Sequence, residues 1–519
     1  MRIHLIALLL AGLFSTIGMA QPVYERHTYE VYPFLARMAQ KGLLEWNDNI
    51  RPMLKTEIVR ALDTLANQKD KLSGVEKAEL AFYQGEYSYE SRKRLFGIAN
   101  ENFNMRALPV FSGNLVKEGD RTMFRRSIGM QTFGQVGKKW GYQLFLQDFS
   151  EKGKSLDTNR TGLDANHETG FVLQSARKTD ALNYLELRGH LTYQFNKGSV
   201  SIGQDYLLWG YGQSGRIVLS DKAPTYPYFR LDINPYSWLR FNYTHAWLKS
   251  DLIDSARSYT IPNGLFGGVR EVFIAKYMAT HTLDFRIRKG LNLSVGESMI
   301  YTDRMNAAYL IPVLFFKAFD NYAGSGSITR GSNGQFFFQV SSRDQIKNTH
   351  LYATLLIDEI KISRILDKKE QRNQIGYTLG GSVTDLGLPY LQLGMEYTKV
   401  RPFVYRNFLP QQNYTNANFL LGDWMGANAD RISLFANYTP LPRLKIRARY
   451  MQVRKGEQGT LDQQYFQQPQ PPFLFGNQIS SKEYLLQGQY EYIPRLYLTA
   501  SFRRFDQTTL LSIGMNYGL

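Results

Sequence analysis

The chain has 519 residues, contains no cysteine, and carries 62 Lys and Arg against 45 Asp and Glu, a formal net charge of +17. That length admits two or three ordinary domains or one large barrel, and the missing cysteines exclude a disulfide framework, so ladders, packing or lipid must hold the fold. Mean hydropathy is −0.34, and after the first twenty residues no stretch is apolar for the ~20 positions a membrane helix needs, which leaves a polar-lined barrel as the only membrane-resident architecture.

Met1 to Ala20 reads as a signal peptide: Arg2 at the start, an almost unbroken apolar run from Ile3 to Phe14, and small residues at Gly18-Met19-Ala20 for cleavage. No lipobox cysteine exists, and the mature chain is expected to begin near Gln21 with a charge of about +16, since only Arg2 is removed. A basic excess of this size points to an anionic partner, an acidic polysaccharide or lipopolysaccharide phosphate rather than nucleic acid in a secreted chain. Solvated loop charge with no partner is the plainer alternative.

Residues 24 to about 95 do not alternate and read as three short helices. Tyr29 to Gln40 places Tyr32, Leu35 and Met38 at helical spacing and Gly42 stops it. Pro52 to Ala66 carries Leu54, Ile58, Ala61, Leu62 and Leu65 behind a first-turn proline. Ser73-Gly74-Val75-Glu76 is a capping box opening a third helix with Ala78, Ala81 and Phe82 on one side. Such helices bury little alone. The region 21–103 is therefore expected to dock on the periplasmic mouth of the domain that follows, as a plug.

From about residue 104 the period becomes two. Leu185 to Phe195, Tyr390 to Thr398 and Leu496 to Phe505 each set apolar residues against polar ones, and Leu511, Ile513, Met515, Tyr517 and Leu519 alternate with Ser512, Gly514, Asn516 and Gly518. A soluble sandwich also alternates. Here, however, the apolar faces end in Tyr, Phe or Trp, and 14% of the chain is aromatic, with 34 Tyr and 32 Phe. The polar faces carry charges in mid-strand, where a solid core could not hold them. The expectation is an all-β transmembrane barrel over 104–519, in the outer membrane, with about 18 antiparallel strands because bacterial single-chain barrels have an even number. Pro440-Leu441-Pro442 and Ile493-Pro494-Arg495 read as periplasmic turns. Residues 151–168, 251–269, 320–334, 401–430 and 455–480 read as extracellular loops, the last with a Gln/Pro-rich run from Gln467 to Pro472. Leu351 to Ile362 alternates poorly. Outer-membrane lipid, lipopolysaccharide and the barrel-assembly machinery are the partners such a chain implies.

The letters Gly210-Tyr211-Gly212-Gln213-Ser214-Gly215 match a dinucleotide fingerprint, but strand-like Arg216-Ile217-Val218-Leu219 follows instead of a helix, so a Gly-rich turn is the better reading. No nucleophile elbow, zincin or calcium-loop motif occurs, and the six histidines of the mature chain are scattered. No catalytic residue, metal or cofactor is expected. A barrel hydrolase would need a reactive Ser beside His190 or His245.

Two groups of residues are candidates for ligand binding. Lys445, Arg447 and Arg449 share one face of a strand whose other face is Leu444, Ile446, Ala448 and Tyr450, and Arg286, Arg288 and Arg240 recur beside apolar neighbours in the same way. If the apolar set faces lipid, these cations face the lumen, where a basic ladder suits an anionic ligand or anion selectivity. The alternative is that Glu186, Asp284 and Glu396 pair with them as structural glue. Trp209, Tyr211, Tyr226, Tyr228, Tyr236 and Trp238 form an aromatic-dense stretch with Asp205, Gln213, Arg216, Asp221 and Asn234 nearby, a composition that suits sugar rings and hydroxyls; an interface girdle is the competing reading.

Gly203-Gln204-Asp205, Trp209-Gly210-Tyr211-Gly212 and Ile217-Val218-Leu219-Ser220-Asp221-Lys222-Ala223-Pro224 resemble the Wzi family of capsule-assembly outer-membrane proteins, where a Trp-Gly-rich segment precedes a Leu-Ser strand and a proline. The outline of the whole chain resembles it too. Tyr211 departs from the pattern, standing where proline is expected, which marks a divergent member. The resemblance implies a non-enzymatic, lectin-like surface protein that holds capsular polysaccharide on the cell, with a helical region closing the periplasmic side. The alternative function is a porin-class channel for anionic solutes.

Overall fold

The computed structural model describes residues 21–87, 96–100, 102–154, 160, 162–165, 168–171, 181–262, 268–324, 331–359, 366–367, 373–463 and 470–518. The leader expected over Met1–Ala20 and the terminal Leu519 lie outside them, as does part of the Gln/Pro-rich run.

Eighteen antiparallel strands close into a barrel. They are β1 (Phe103–Glu118), β2 (Arg121–Val136), β3 (Trp140–Gly153), β4 (Ala181–Phe195), β5 (Gly198–Asp205), β6 (Tyr226–Tyr236), β7 (Leu239–Leu248), β8 (Lys276–Arg288) and β9 (Leu291–Thr302). There follow β10 (Asn333–Arg343), β11 (Thr349–Glu359), β12 (Gln374–Thr384), β13 (Leu391–Val400), β14 (Ala429–Leu441), β15 (Leu444–Gly456), β16 (Gln478–Ile493), β17 (Leu496–Phe505) and β18 (Thr508–Tyr517). Each pairs with its sequence neighbours, and β18 returns to β1 with Tyr517 opposite Phe111, so no edge is left open. The expected eighteen-stranded barrel is what forms. Its outer face is bare hydrocarbon: Leu511, Ile513 and Met515 are 50%, 62% and 42% exposed. Burying that face needs a lipid layer.

The two mouths differ. At one end the strands join through tight turns, such as those between β14 and β15 and between β16 and β17; both chain termini of the barrel lie there. At the other end most connections are long. The poorly alternating stretch at Leu351 is strand β11, and its lumenal Leu356 breaks the pattern because it packs on an apolar segment inside the barrel that includes Ile217.

The N-terminal region forms α1 (Val31–Gln40), α2 (Lys55–Ala66) and α3 (Gly74–Tyr87) around a shared core of Tyr32, Leu35, Met38, Ile58, Leu62, Leu65, Leu80 and Tyr83. Gly42 ends α1 with φ +71°, and the Ser73–Glu76 capping box forms, Ser73 N donating to Glu76 Oε2 at 2.9 Å. Two expectations are corrected. The second helix starts at Lys55, not Pro52, because residues 50–54 are drawn out as an extended segment that pairs elsewhere. The third helix leaves Ala78 and Ala81 exposed and packs Phe82 only partly against the core. It buries Glu76, Glu79, Leu80, Tyr83 and Glu86, because that acidic edge meets cations on α1 and on the barrel.

Candidate functional site

The basic ladder faces the lumen, and the N-terminal region occupies it. Lys445 meets Glu79 of α3, and Arg447 reaches both oxygens of Glu30 at 2.6 Å. Arg449 pairs with Glu483 of β16, which Arg503 shares at 2.7 Å. Arg286 meets Glu45, and Arg240 lies 3.2 Å from Asp232. Arg288 stands past a bulge, opposite Leu291 and exposed. The carboxylates named from the sequence have other partners. Glu186 takes Arg188 at 2.7 Å, Asp284 accepts from Asn49, and Glu396 accepts the backbone N–H groups of Gln213 and Ser214 at 2.7 and 3.1 Å.

This interface is densely charged at the tight-turn end. Arg495, in the β16–β17 turn, holds Glu25 and Glu86, each at 2.9 Å, and lies over the Tyr29 ring. Arg37 of α1 and Lys41 just past its end clasp both Glu76 and Asp385. Arg343 donates to Asp48 at 2.6 Å and to the Trp46 carbonyl at 2.6 Å. Burial alone would raise the Asp48 carboxyl, but Arg343 and Arg51 outweigh it and hold it well below the usual carboxylate range. Burial pushes the Lys55 ammonium down to about 8 even though Glu25 opposes the shift.

The β5–β6 connection, residues 206–225, does not extend outward. It turns into the lumen, where Leu208–Trp209 pairs antiparallel with Ile50–Arg51 of the N-terminal region. Gly210 N donates to Asn49 O at 2.9 Å, and Trp209 N to Leu219 O at 2.9 Å. Gly210 needs its φ of +116°, which a side chain rarely adopts. Trp209 is 1% exposed, edge-on to Phe337, and Tyr211 Oη donates to Asn47 Oδ1 at 2.7 Å. Strand-like Ile217–Leu219 is thus the core of this inner loop rather than barrel wall. From the long-loop end, residues 401–428 close over it: Tyr405 Oη donates to Ile217 O at 2.7 Å, Tyr414 Oη to Val218 O at 2.8 Å, and Ser220 N to Leu421 O at 2.7 Å. Protein therefore runs continuously along the lumen from the helices to the long loops. Tyr236 and Trp238 of the aromatic stretch lie elsewhere, stacked 5.5 Å apart and exposed at the tight-turn rim.

A polar cavity of about 180 Å³ lies between the inner loop and the long loops. Glu168, Gln213, Arg216, Asp221, Lys222 and Trp424 line it. Asp221 is 42% accessible although protein surrounds it, so its free surface is the cavity's own. Each polar group has a fixed orientation. Trp424 Nε1 donates to Ser214 O at 2.7 Å, Lys222 Nζ donates to Glu168 O at 2.8 Å, and His27 lies 3.2 Å from Asp221. Arg216 Nε donates to Gly210 O at 3.0 Å, and among the described residues no carboxylate lies within ion-pair distance of its guanidinium. Burial and the neighbouring Arg51 push Arg216 down to about 10. Of the residues named from the sequence, Gln213, Arg216 and Asp221 are brought together here. Trp424 and Glu168 carried no sequence signal, because only the folding of separate loops places them.

His190 accepts from Tyr24 N at 3.1 Å within the lumen, whereas His245 faces the opposite side of the wall, 2.7 Å from Tyr301 Oη. Among the described residues no three His, Asp or Glu side chains are placed to hold a metal.

A closed eighteen-stranded barrel with an apolar outer face and a protein-filled lumen defines a multi-pass outer-membrane protein. No family model matches the sequence, and no curated protein matches it. Among solved structures it is similar to Wzi of Escherichia coli, an outer-membrane protein involved in group 1 capsule assembly and a carbohydrate-binding β-barrel. The identity is 12% over 96% of this chain and 99% of that one, with a TM-score of 0.61. It also matches OccK5 of Pseudomonas aeruginosa and OccAB2 of Acinetobacter baumannii at 10% and 9% identity. Each of those covers 80% of this chain and 97% of the other, with TM-scores of 0.43 and 0.46. The first likeness is one of fold.

Proposed function

We propose that this protein is a divergent, non-enzymatic relative of the Wzi barrels that binds an acidic surface polysaccharide and attaches it to the cell. The observation that carries the reading is a lumen crossed by the N-terminal region and the inner loop, with a polar cavity beneath the long loops. An anion channel needs a continuous water path, and the Ile50–Arg51/Leu208–Trp209 ladder stands across it. By the convention that bacterial barrels keep short turns in the periplasm, the helices plug the periplasmic mouth and the cavity opens toward the outside. There Arg216 supplies an uncommitted cation, Gln213 and Asp221 supply hydrogen-bonding groups, and Trp424 supplies an apolar patch of the lining. The ladder cations Lys445, Arg447 and Arg286 serve the plug instead.

The test is binding of the host's own acidic polysaccharide to the purified barrel, against a neutral dextran. R216Q removes one charge-assisted contact, worth about 1.5–3 kcal/mol, so affinity should fall roughly ten- to a hundredfold with the barrel still folded. Equal binding of both glycans, or no change in R216Q, would overturn the reading of this cavity.

A further inference from the structure

The connection between β9 and β10 folds over the outside of the barrel. Residues 303–323 descend along the outer wall and end in a helix, α4 (Phe316–Gly324). The register fixes the side. Asn242, Thr282, Asp284 and Ser294 face the lumen, since Asn242 reaches Asp232 and Asn49 reaches Asp284 and Ser294. Their neighbours Tyr243, His281, Glu297, Met299 and Tyr301 must therefore face outward. Yet Tyr243, Met299 and Tyr301 are at most 3% exposed, packed in one cluster with Tyr309 and Phe316 of the descending segment.

The wall beneath is built to be covered. A carboxylate and two histidines facing hydrocarbon would be costly. Here Glu297 accepts the N–H groups of Phe316 and Lys317 at the start of α4. His281 meets Glu297 at 3.2 Å and the Pro312 carbonyl at 3.0 Å, His245 meets Tyr301 Oη, and Tyr243 Oη donates to Tyr309 O at 2.7 Å. Away from the wall the segment bares an apolar set, Ile311, Val313, Phe315 and Tyr322 at 49%, 81%, 55% and 88% exposed, with Asp303 and Arg304 exposed at its start and Asn321 in α4. Phe315 abuts Phe336 of the wall, and Leu293, Phe338 and Val340 continue the exposed apolar surface along the same strands.

We infer that residues 303–323 form a lipid-binding arm outside the barrel, whose exposed face is occupied by the acyl chains of the surrounding outer leaflet. Continuity with the lipid-facing band selects that occupant: a segment at the long-loop end of β9, bare at Ile311, Val313 and Phe315 beside the exposed Phe338 and Val340 and pinned to the wall by Glu297, lies where the leaflet must be. The arm widens the barrel's footprint on one side, over β7–β10, independently of what the lumen binds.

The absence of native cysteine makes the test direct. V313C, I513C (outer wall) and Q507C (the exposed β17–β18 turn) are each spin-labelled on the full chain in phosphatidylethanolamine–phosphatidylglycerol vesicles. Collisions with oxygen and with a water-soluble nickel chelate are then compared. The V313C label should match I513C, open to oxygen and shielded from nickel, and E297A should shift it toward Q507C by releasing the arm. A V313C label as open to nickel as Q507C in the intact protein would overturn the inference. So would a V313C disulfide between two copies, which would put a second protein on that face.

Discussion

Replacing Arg495 by Gln should loosen the plug measurably. The Arg495 side chain is 3% exposed, and its partners Glu25 and Glu86 are 1% and 4% exposed. All three are shut away from water at the junction of the helices with the β16–β17 turn. Removing the cation strands two buried carboxylates, and breaking such a pair costs about 3–5 kcal/mol. At about 1.4 kcal/mol per decade, the population of undocked helices should rise roughly a hundredfold to several thousandfold. Hydrogen exchange of the α1–α3 amides, followed by mass spectrometry in nanodiscs, reads that population directly, while heat-modifiable gel migration confirms that the barrel itself has closed. Adding E25Q and E86Q should recover much of the protection, because neutral amides no longer need the cation. Unchanged exchange in R495Q would refute the assignment of this triad as the clasp.

Other outcomes follow from the same contacts. Charge reversal at Lys445 and Arg447 should place like charges against Glu79 and Glu30 and raise single-channel conductance in planar bilayers, with the barrel intact; a current indistinguishable from wild type would contradict their role in the plug. Acid should act late. Glu25, Asp48, Glu76 and Asp385 all titrate below their ordinary values because cations outweigh their burial. Their contribution is therefore complete above the unfolded carboxylate value of about 4 and is lost only as pH falls through the lower folded values. Conductance should stay closed down to about pH 4 and open below it, and opening near neutrality would be inconsistent with this network. Gly210→Val forces a β-branched side chain into φ +116° and should cost roughly 1–3 kcal/mol of inner-loop order, read as faster exchange at residues 206–220.

The barrel was legible in the sequence because lipid imposes one rule on every strand. Leu444, Ile446, Ala448 and Tyr450 against Lys445, Arg447 and Arg449 could be sorted into outside and inside from period alone, and so could β17 and β18. What the lumenal cations hold was not legible. Lys445, Arg447 and Arg286 find their carboxylates hundreds of residues away in the N-terminal region, and Glu76, Glu79 and Glu86 look like an ordinary charged face until Lys41, Lys445 and Arg495 are placed against them. The path of the inner loop was not legible for a related reason. Ile217-Val218-Leu219 alternates with nothing because it is core on every side, a state that period two cannot distinguish from wall. The arm over β7–β10 inverts the rule itself, since His281 and Glu297 face outward yet never meet lipid.

The central claim, that the protein retains an acidic polysaccharide at the cell surface, is tested most directly by deleting its gene and measuring how that polysaccharide divides between cells and medium. The account predicts shedding into the medium at unchanged total, restored to the surface by the wild-type gene and only partly by R216Q. An unchanged division between surface and medium would contradict it.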